Sequence, residues 1–483
     1  MPPQRISCDV LMALDPSLQA ALLVHRFGFV PKPGGLAAAG KDGRAALLAE
    51  LEDPNAAHIA DDDLMDSGEA FRAAYAERLS VRAERLNARN EAAAKPQMQT
   101  GDNAMPPGAQ KQNEKRNLPQ RIYREEARAR FDAAFRAPVG FVERLVWFWS
   151  NHFCVSAAKG QVRTICGAFE REAIRPHVTG KFVDMLMAVE THPAMLLYLD
   201  NADSIGPNSQ AGRRRGKGLN ENLAREILEL HTVGVGAGYT QADVTNFAKV
   251  ITGWTIVRPK QDPERGGDFT FDPRFHEPGP QRVMGREFKS GGIEQGRAVL
   301  TMLAQHPATA THVARKLVRH FIADDPSPLL VERLAKRFRD TGGDLKEVAK
   351  TLVISPEAAD PSRGKLRPPA EWVLGIPRAM GAMPGDINPL LQGHNLLGQP
   401  LWRPPAPKGF SDDSSAWIDG VAQRLDVATQ FARRNPTQRD VREIASETFG
   451  PLLSNDTRQT IERAESQQQA IALLLMSPEF QRR

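Results

Sequence analysis

Leu219-Asn-Glu-Asn-Leu-Ala-Arg-Glu-Ile-Leu-Glu-Leu-His231 spaces its apolar residues at helical intervals. At ~100° per residue, Leu223, Ile227 and Leu230 fall within one narrow arc. Asn222, Glu226 and Glu229 fall on another, with Arg225 at its border. Two carboxylates and an amide therefore share a helical face. Such a face either carries chemistry or is the solvated side of an ordinary amphipathic helix.

The same period runs outward from this block in both directions. Helices are expected at 162–174, 182–189, 194–199 and 244–254, then at 293–303, 308–322, 329–338 and 345–352. Thr240-Gln-Ala-Asp243 has the form of a capping box, with Asp in place of the usual Glu. Upstream, Phe131, Phe135, Phe141, Leu145, Phe148 and Trp149 form an apolar stripe. Sustained period-2 alternation is nearly absent, with short strands expected only around 269–271 and 282–284. The expected fold is all-α: a large multi-helix domain with long Gly/Pro-rich loops and little β.

Composition shifts divide the chain into an N-terminal helical subdomain (1–95), a linker or loop (96–119), a central helical core (120–258), an irregular region (259–292) and a C-terminal helical region (293–483). The 96–119 stretch is polar and Pro-rich, with too little apolar surface to offset the entropy of ordering it. Lys and Arg total 63 against 58 Asp and Glu, a net charge of +5 that does not indicate a nucleic-acid scaffold. Three cysteines, Cys8, Cys154 and Cys166, cannot build a disulfide framework, and none are in CxxC spacing. No apolar run reaches the ~18–20 residues of a transmembrane helix. Met1–Val10 lacks a signal peptide's apolar centre, so a cytoplasmic location is expected for the chain as written.

Several polar groups interrupt the apolar pattern. Asp200-Asn201 directly follows the apolar 195–199 segment, Asn151-His152 is embedded in an aromatic run, and His276-Glu277 sits in a Gly/Pro loop. His192 and His306 each precede proline and suit turns or caps. Asp200, Asn201, Asn222, Glu226 and Glu229 are the candidate ligands for a divalent cation. An Asp/Glu/Asn/His set without Cys suits Mg²⁺, Ca²⁺ or Mn²⁺ rather than structural zinc. His231 and His276 are candidate general bases. Gly212-Arg-Arg-Arg-Gly-Lys217 misses the Walker spacing by one residue. Its Arg213, Arg214, Arg215 and Lys217 could still hold an anionic cofactor or ligand.

The ordered set Asn151-His-Phe153, Met195–Asn201, Asn220–Gly234, Gly238-Tyr-Thr240, Thr252-Gly-Trp254, His276-Glu-Pro-Gly279, Trp402-Arg-Pro-Pro405 and Ser477-Pro-Glu-Phe480 closely resembles the bacterial family catalogued as domain of unknown function 1800. The likeness runs from about Leu18 to Phe480. Two positions depart from the family pattern: Glu277 stands where Asp is usual, and Gly236 where an acid is usual. The resemblance implies a largely helical protein and no established reaction. It also implies frequent export and a sulfatase-like protein encoded nearby as a partner. Two functions follow as expectations. One is metal-assisted catalysis or cation binding in a polar, carboxylate- and His-containing pocket. The other is a non-catalytic binding or assembly protein whose polar cluster is a structural network. The sequence leaves open whether the protein is an enzyme.

Overall fold

The computed structural model describes residues 15–94, 117–215, 218–435 and 437–483. The proposed linker at 96–119 falls outside them up to residue 116, and its last residues open a helix. Helices dominate, as the periodicity demands. The first are α1 (Pro16–Phe27), α2 (Leu118–Arg136) and α3 (Phe141–His152). α3 is the centre of the molecule: of its twelve residues only Asn151 is not buried. The helix is enclosed on every side, its apolar residues by the core and its buried Glu143 and Arg144 by ion pairs with Arg175 and Glu371. Phe27 of α1, Phe141 of α3 and Phe321 from a later helix pack with ring centroids 5.3–5.6 Å apart. The helix start is held by Glu50, whose carboxylate accepts from the N–H groups of Gly140 and Val142, both at 3.0 Å.

Next come α4 (Cys166–Phe169), α5 (Phe182–Thr191), α6 (Pro193–Tyr198), α7 (Asn222–Glu226) and α8 (Gln241–Val250). The capping box on α8 is complete, and His192 caps α6 by accepting from Ala194 N at 3.1 Å. Two small antiparallel sheets follow among the described residues: β1 (Trp254–Ile256) with β2 (Phe269–Phe271), and β3 (Gln281–Val283) with β4 (Arg286–Phe288). Then α9 (Pro307–Phe321) and α10 (Pro369–Met380) return to α3, with α11 (Asn388–Leu396) beside them. His306 caps α9 through Ala308 N at 3.2 Å. One hydrophobic core includes residues from Leu23 to Phe480, so the N- and C-terminal segments share it.

Three elements differ from the expected straight α-helices, the simplest being the one expected at 244–254, which ends at Val250 with Trp254 opening β1. The segment expected at 162–174 is instead α4 followed by a π segment, Glu170–Ile174. The helix read from the Leu219–His231 block is α7 followed by a second π segment, Ile227–His231. A π turn bonds i to i+5 and is rare outside single-turn bulges, which recur at functional sites. It also advances each residue by less than 100°, so the arc drawn through Asn222, Glu226 and Glu229 does not persist past residue 226.

Candidate functional site

The second π segment turns His231 into the core. His231 Nδ1 lies 2.7 Å from Glu190 Oε1, a residue near the end of α5. Both side chains are sealed off, 1% and 0% exposed. The contact places a proton on Nδ1, so Nε2 presents its lone pair. That nitrogen has no hydrogen-bond partner among the described residues. Glu190 Oε2 is also buried without a partner there.

A π end leaves backbone carbonyls unsatisfied, and four neighbours absorb them. Thr232 Oγ1 donates to Ile227 O at 2.6 Å, and Gly234 N donates to Leu228 O at 3.0 Å. His312 Nε2 donates to Leu230 O at 3.0 Å, and His152 Nε2 donates to His231 O at 3.2 Å. His152 and His312 are thus caps of this helix end. Burial, then the charge of Lys316, depresses both imidazoles, His312 to about 4 and His152 well below the usual range.

Glu226, one residue before the π segment, has no ion-pair partner among the described residues. Burial raises its pKa, with the nearby His231 opposing. Tyr198, Cys154 and Lys316 complete the surroundings. Glu226 lies close enough to perturb both Tyr198 and Cys154. Burial pushes the Cys154 thiol up to about 12, so it is no thiolate at neutral pH. Burial lowers the Lys316 ammonium, while Asp412 and Cys154 pull it back. The acid thus lies within electrostatic reach of the imidazole and of the Tyr198 phenol, beside a rare backbone turn.

The other sequence candidates differ in their contacts. Glu229 pairs with Arg225 at 3.4 Å, and Arg225 in turn reaches Glu221 at 3.1 Å. Asn222 is exposed. Asp200 adopts a left-handed conformation, φ 59°, and pairs with Lys159 at 2.5 Å. Asn201 is buried and donates to Ile251 O and Trp254 O, fixing the start of β1. His276 Nδ1 donates to Thr252 O at 3.0 Å, with Nε2 buried and unpartnered among the described residues. Beside it, Glu277 accepts from Asn208 N and Nδ2 at 2.8 and 2.6 Å, which ties down the 206–212 loop. Arg213 and Arg214 are exposed on a single helical turn. Lys217 and the side chain of Arg215 lie outside the described residues. The structure thus keeps Asn222, Glu226, Glu229 and His231 on one continuous segment, with Glu226 within electrostatic reach of both Glu229 and His231, and places Asp200, Asn201, His276 and the basic loop on other elements.

Glu190, His312 and Lys316 went unflagged in the sequence, although a signal existed for each. Glu190 continues the row Phe182, Leu186, Glu190 at i, i+4, i+8: an acid in an apolar stripe. His312, Lys316 and His320 repeat the same spacing along α9.

A helical bundle with a π-turn histidine–carboxylate pair is the class of protein this geometry defines. The family model described as "Protein of unknown function (DUF1800)" matches residues 22–482, and the chain belongs to that family. No curated protein and no solved structure matches it. Among the described residues no helix is long and apolar enough to cross a membrane.

Proposed function

We propose that the chain is an enzyme of general acid–base catalysis, with His231 as base and Glu226 as acid, acting on a hydroxyl- or carbonyl-bearing substrate. The observation that carries this reading is the 2.7 Å Glu190–His231 pair on a π segment, with Nε2 left unpartnered. Glu190 would hold the imidazole in one tautomer and stabilise the imidazolium that forms when Nε2 takes a proton. Glu226, raised by burial, keeps a proton to higher pH than an ordinary glutamate, as a general acid requires. Lys316 and Tyr198 would orient the substrate oxygen. Hydrolysis and elimination are the reaction classes that need only such a set.

Divalent-cation binding is the second reading, favoured by the same two groups. A histidine whose other nitrogen is held by a carboxylate is how metal-ligating imidazoles are commonly supported. Among the described residues, however, no group of three or more His, Cys, Asp or Glu side chains is placed to hold a metal ion. Proton transfer needs only the two groups present, and we prefer it.

The test is a hydrolysis panel on the purified full chain, using nitrophenyl esters, phosphates, sulfates and glycosides, with and without chelator. One class should be turned over, with a loss of ~100-fold or more in both His231→Gln and Glu226→Gln. Loss of activity on chelation would transfer the site to the cation reading. Turnover unchanged in both variants, or no turnover of any class, would overturn the acid–base assignment.

A further inference from the structure

The helix Ser67–Ala94 repeats itself every seven residues: Ala76-Glu-Arg-Leu-Ser-Val-Arg82 is followed by Ala83-Glu-Arg-Leu-Asn-Ala-Arg89. Seven residues are close to two helical turns, so each position of the repeat returns to the same side. Ala76, Leu79, Ala83, Leu86 and Asn90 therefore line one seam, about 21 Å from end to end at ~1.5 Å per residue. Helix propensity asks only for good helix formers and sets no order among them. Apolar residues repeated at alternating steps of three and four are the pattern by which one helix receives another.

The body of the protein holds only the first turns of this helix. Ser67 N and Oγ donate to Glu172 at 2.8 and 2.7 Å, Phe71 and Ala74 are buried, and Leu118 N donates to Glu77 Oε1 at 3.0 Å. Across residues 78–90 every residue is exposed except the half-buried Val81. At ~100° per residue the seam lies roughly 90–150° round the helix from Phe71 and Ala74, so it does not continue the packed face. Leu79 and Leu86, its two large residues, are 47% and 50% exposed. Because the first turns are packed, the seam is already helical and a partner does not have to nucleate it.

The seam has one charged edge. Arg78, Arg82, Arg85 and Arg89 fall within an arc of roughly 60° along one side of it. Arg78 lies 5.8 Å from the Tyr75 ring centre, and none of the four makes an ion pair among the described residues. The other edge carries Ser80 and Asn87, without charge. Glu77 and Glu84 fall on the side of the helix away from the seam. Charges that flank a heptad seam decide which partner it accepts and in which direction.

A second copy of this chain fits the seam poorly. Antiparallel helices set the Ala of one seam against the Leu of the other, which fills the layers evenly and lets the axes approach to about 8 Å. Like edges face each other in such a pair, so two copies would oppose their arginines. Parallel copies would avoid that repulsion but set Ala on Ala and Leu on Leu, leaving gaps between the bulky layers. Shape and charge together select a different helix. We propose that the 76–90 face is a docking surface for an antiparallel amphipathic helix of a partner protein, with Leu and Ala in its seam and Glu or Asp along the edge that meets the arginines.

The test titrates the full chain into a fluorescent three-heptad peptide with Ala and Leu in its seam and Glu on both edges, and into its twin with Lys for Glu, following anisotropy. Saturable binding of the acidic peptide is expected, about tenfold or more tighter than that of the lysine twin and weaker as salt rises. Leu79→Gln with Leu86→Gln should weaken it about tenfold. Arg82→Gln with Arg89→Gln should do the same and bring the two peptides' affinities together. All four positions are exposed, so the helical circular dichroism and melting temperature of both double variants should match the parent. A nitroxide on the peptide's C-terminus should broaden the Ala76 amide resonance and spare that of Asn90. The absence of saturable binding, equal affinity for the two peptides, or broadening at Asn90 instead would overturn the proposal. So would self-association of the chain alone that the leucine variant abolishes, which would make a second copy the occupant. Tighter binding to phosphatidylserine vesicles or duplex DNA than to the peptide, unaltered in the leucine variant, would overturn it in favour of a purely electrostatic surface.

Discussion

The two π segments sit in the same core and end differently. Glu170, at the start of the first, is saturated: Arg130 at 3.0 Å, Arg175 at 3.1 Å and the Trp402 indole at 3.2 Å. Arg175 is shared with Glu143, at 2.6 and 3.1 Å. Burial pushes Glu170 up, but the two guanidiniums outweigh it and hold the carboxyl below the ordinary range. At the second segment His231 has one nitrogen bonded and one without a partner among the described residues, and Glu226 beside it has no ion pair there, Arg225 acting on it only through its field. Equal backbone irregularity thus serves two ends. Where every acceptor is matched the turn locks helices together, and where one is left over a lone pair stays without a partner among the described residues.

The largest expected effect breaks the saturated end. Glu170→Gln removes the charge that balances Arg130 and Arg175 while keeping the shape. Arg175 keeps Glu143, but leaving the buried Arg130 guanidinium without its partner should cost about 3–5 kcal/mol. Urea denaturation should show this as a lower midpoint with an unchanged slope. A loss below about 1 kcal/mol would mean that the network is not a lock.

A smaller loss is expected at the open end. Glu190→Leu leaves the His231 Nδ1–H buried without an acceptor, which costs roughly 1–3 kcal/mol. Any turnover should be lost with it, because the tautomer is no longer fixed. If the variant retained full activity, His231 would not be the base.

Protonation sharpens the contrast without altering the fold's design. His312, the cap on Leu230 O, has a folded pKa of about 4 against about 6.5 for a free imidazole. The unfolded chain therefore binds more protons between those values, and stability rises with pH across that window. The contribution is complete above pH 6.5 and is lost as pH falls toward 4. Because the ring is partly exposed, the slope should be at most about 1.4 kcal/mol per pH unit. His312→Gln, which can still donate to Leu230 O, should flatten the stability–pH curve by up to that amount. The Glu170 network, held ionised by its arginines, should contribute no such slope there.

Much of the fold was legible because its signals are local. Helical period, the Thr240–Asp243 box, the His-Pro caps and one strand of each β pair all depend on residues within a few positions of one another. The π turns were not legible, because an extra residue in a turn is settled by packing at distant positions. His152 and His312 satisfy the second π end from 79 and 82 residues away. The same reason divides the candidate site. Glu226 and His231 lie on one short segment and were found together. Their partner Glu190 is 41 residues distant from His231, and only tertiary structure joins them. Asp200 and Asn201 looked reactive because they interrupt an apolar run. What the run conceals is that Lys159 and two backbone carbonyls already occupy them.

The smallest expected stability effect is at Glu226, and it discriminates most. An acid held in place by an ion pair would be missed when neutralised, as Glu170 would. Glu226 has no such partner among the described residues, and burial raises its pKa. Glu226→Gln should therefore change stability by less than about 0.5 kcal/mol, and in the stabilising direction if anything, since it removes a partly desolvated charge. If activity falls by two orders of magnitude at constant stability, Glu226 acts on a substrate and not on the scaffold. A loss of 3 kcal/mol or more would instead place Glu226 with Glu170, as a second saturated lock, and the difference between the two π ends would vanish.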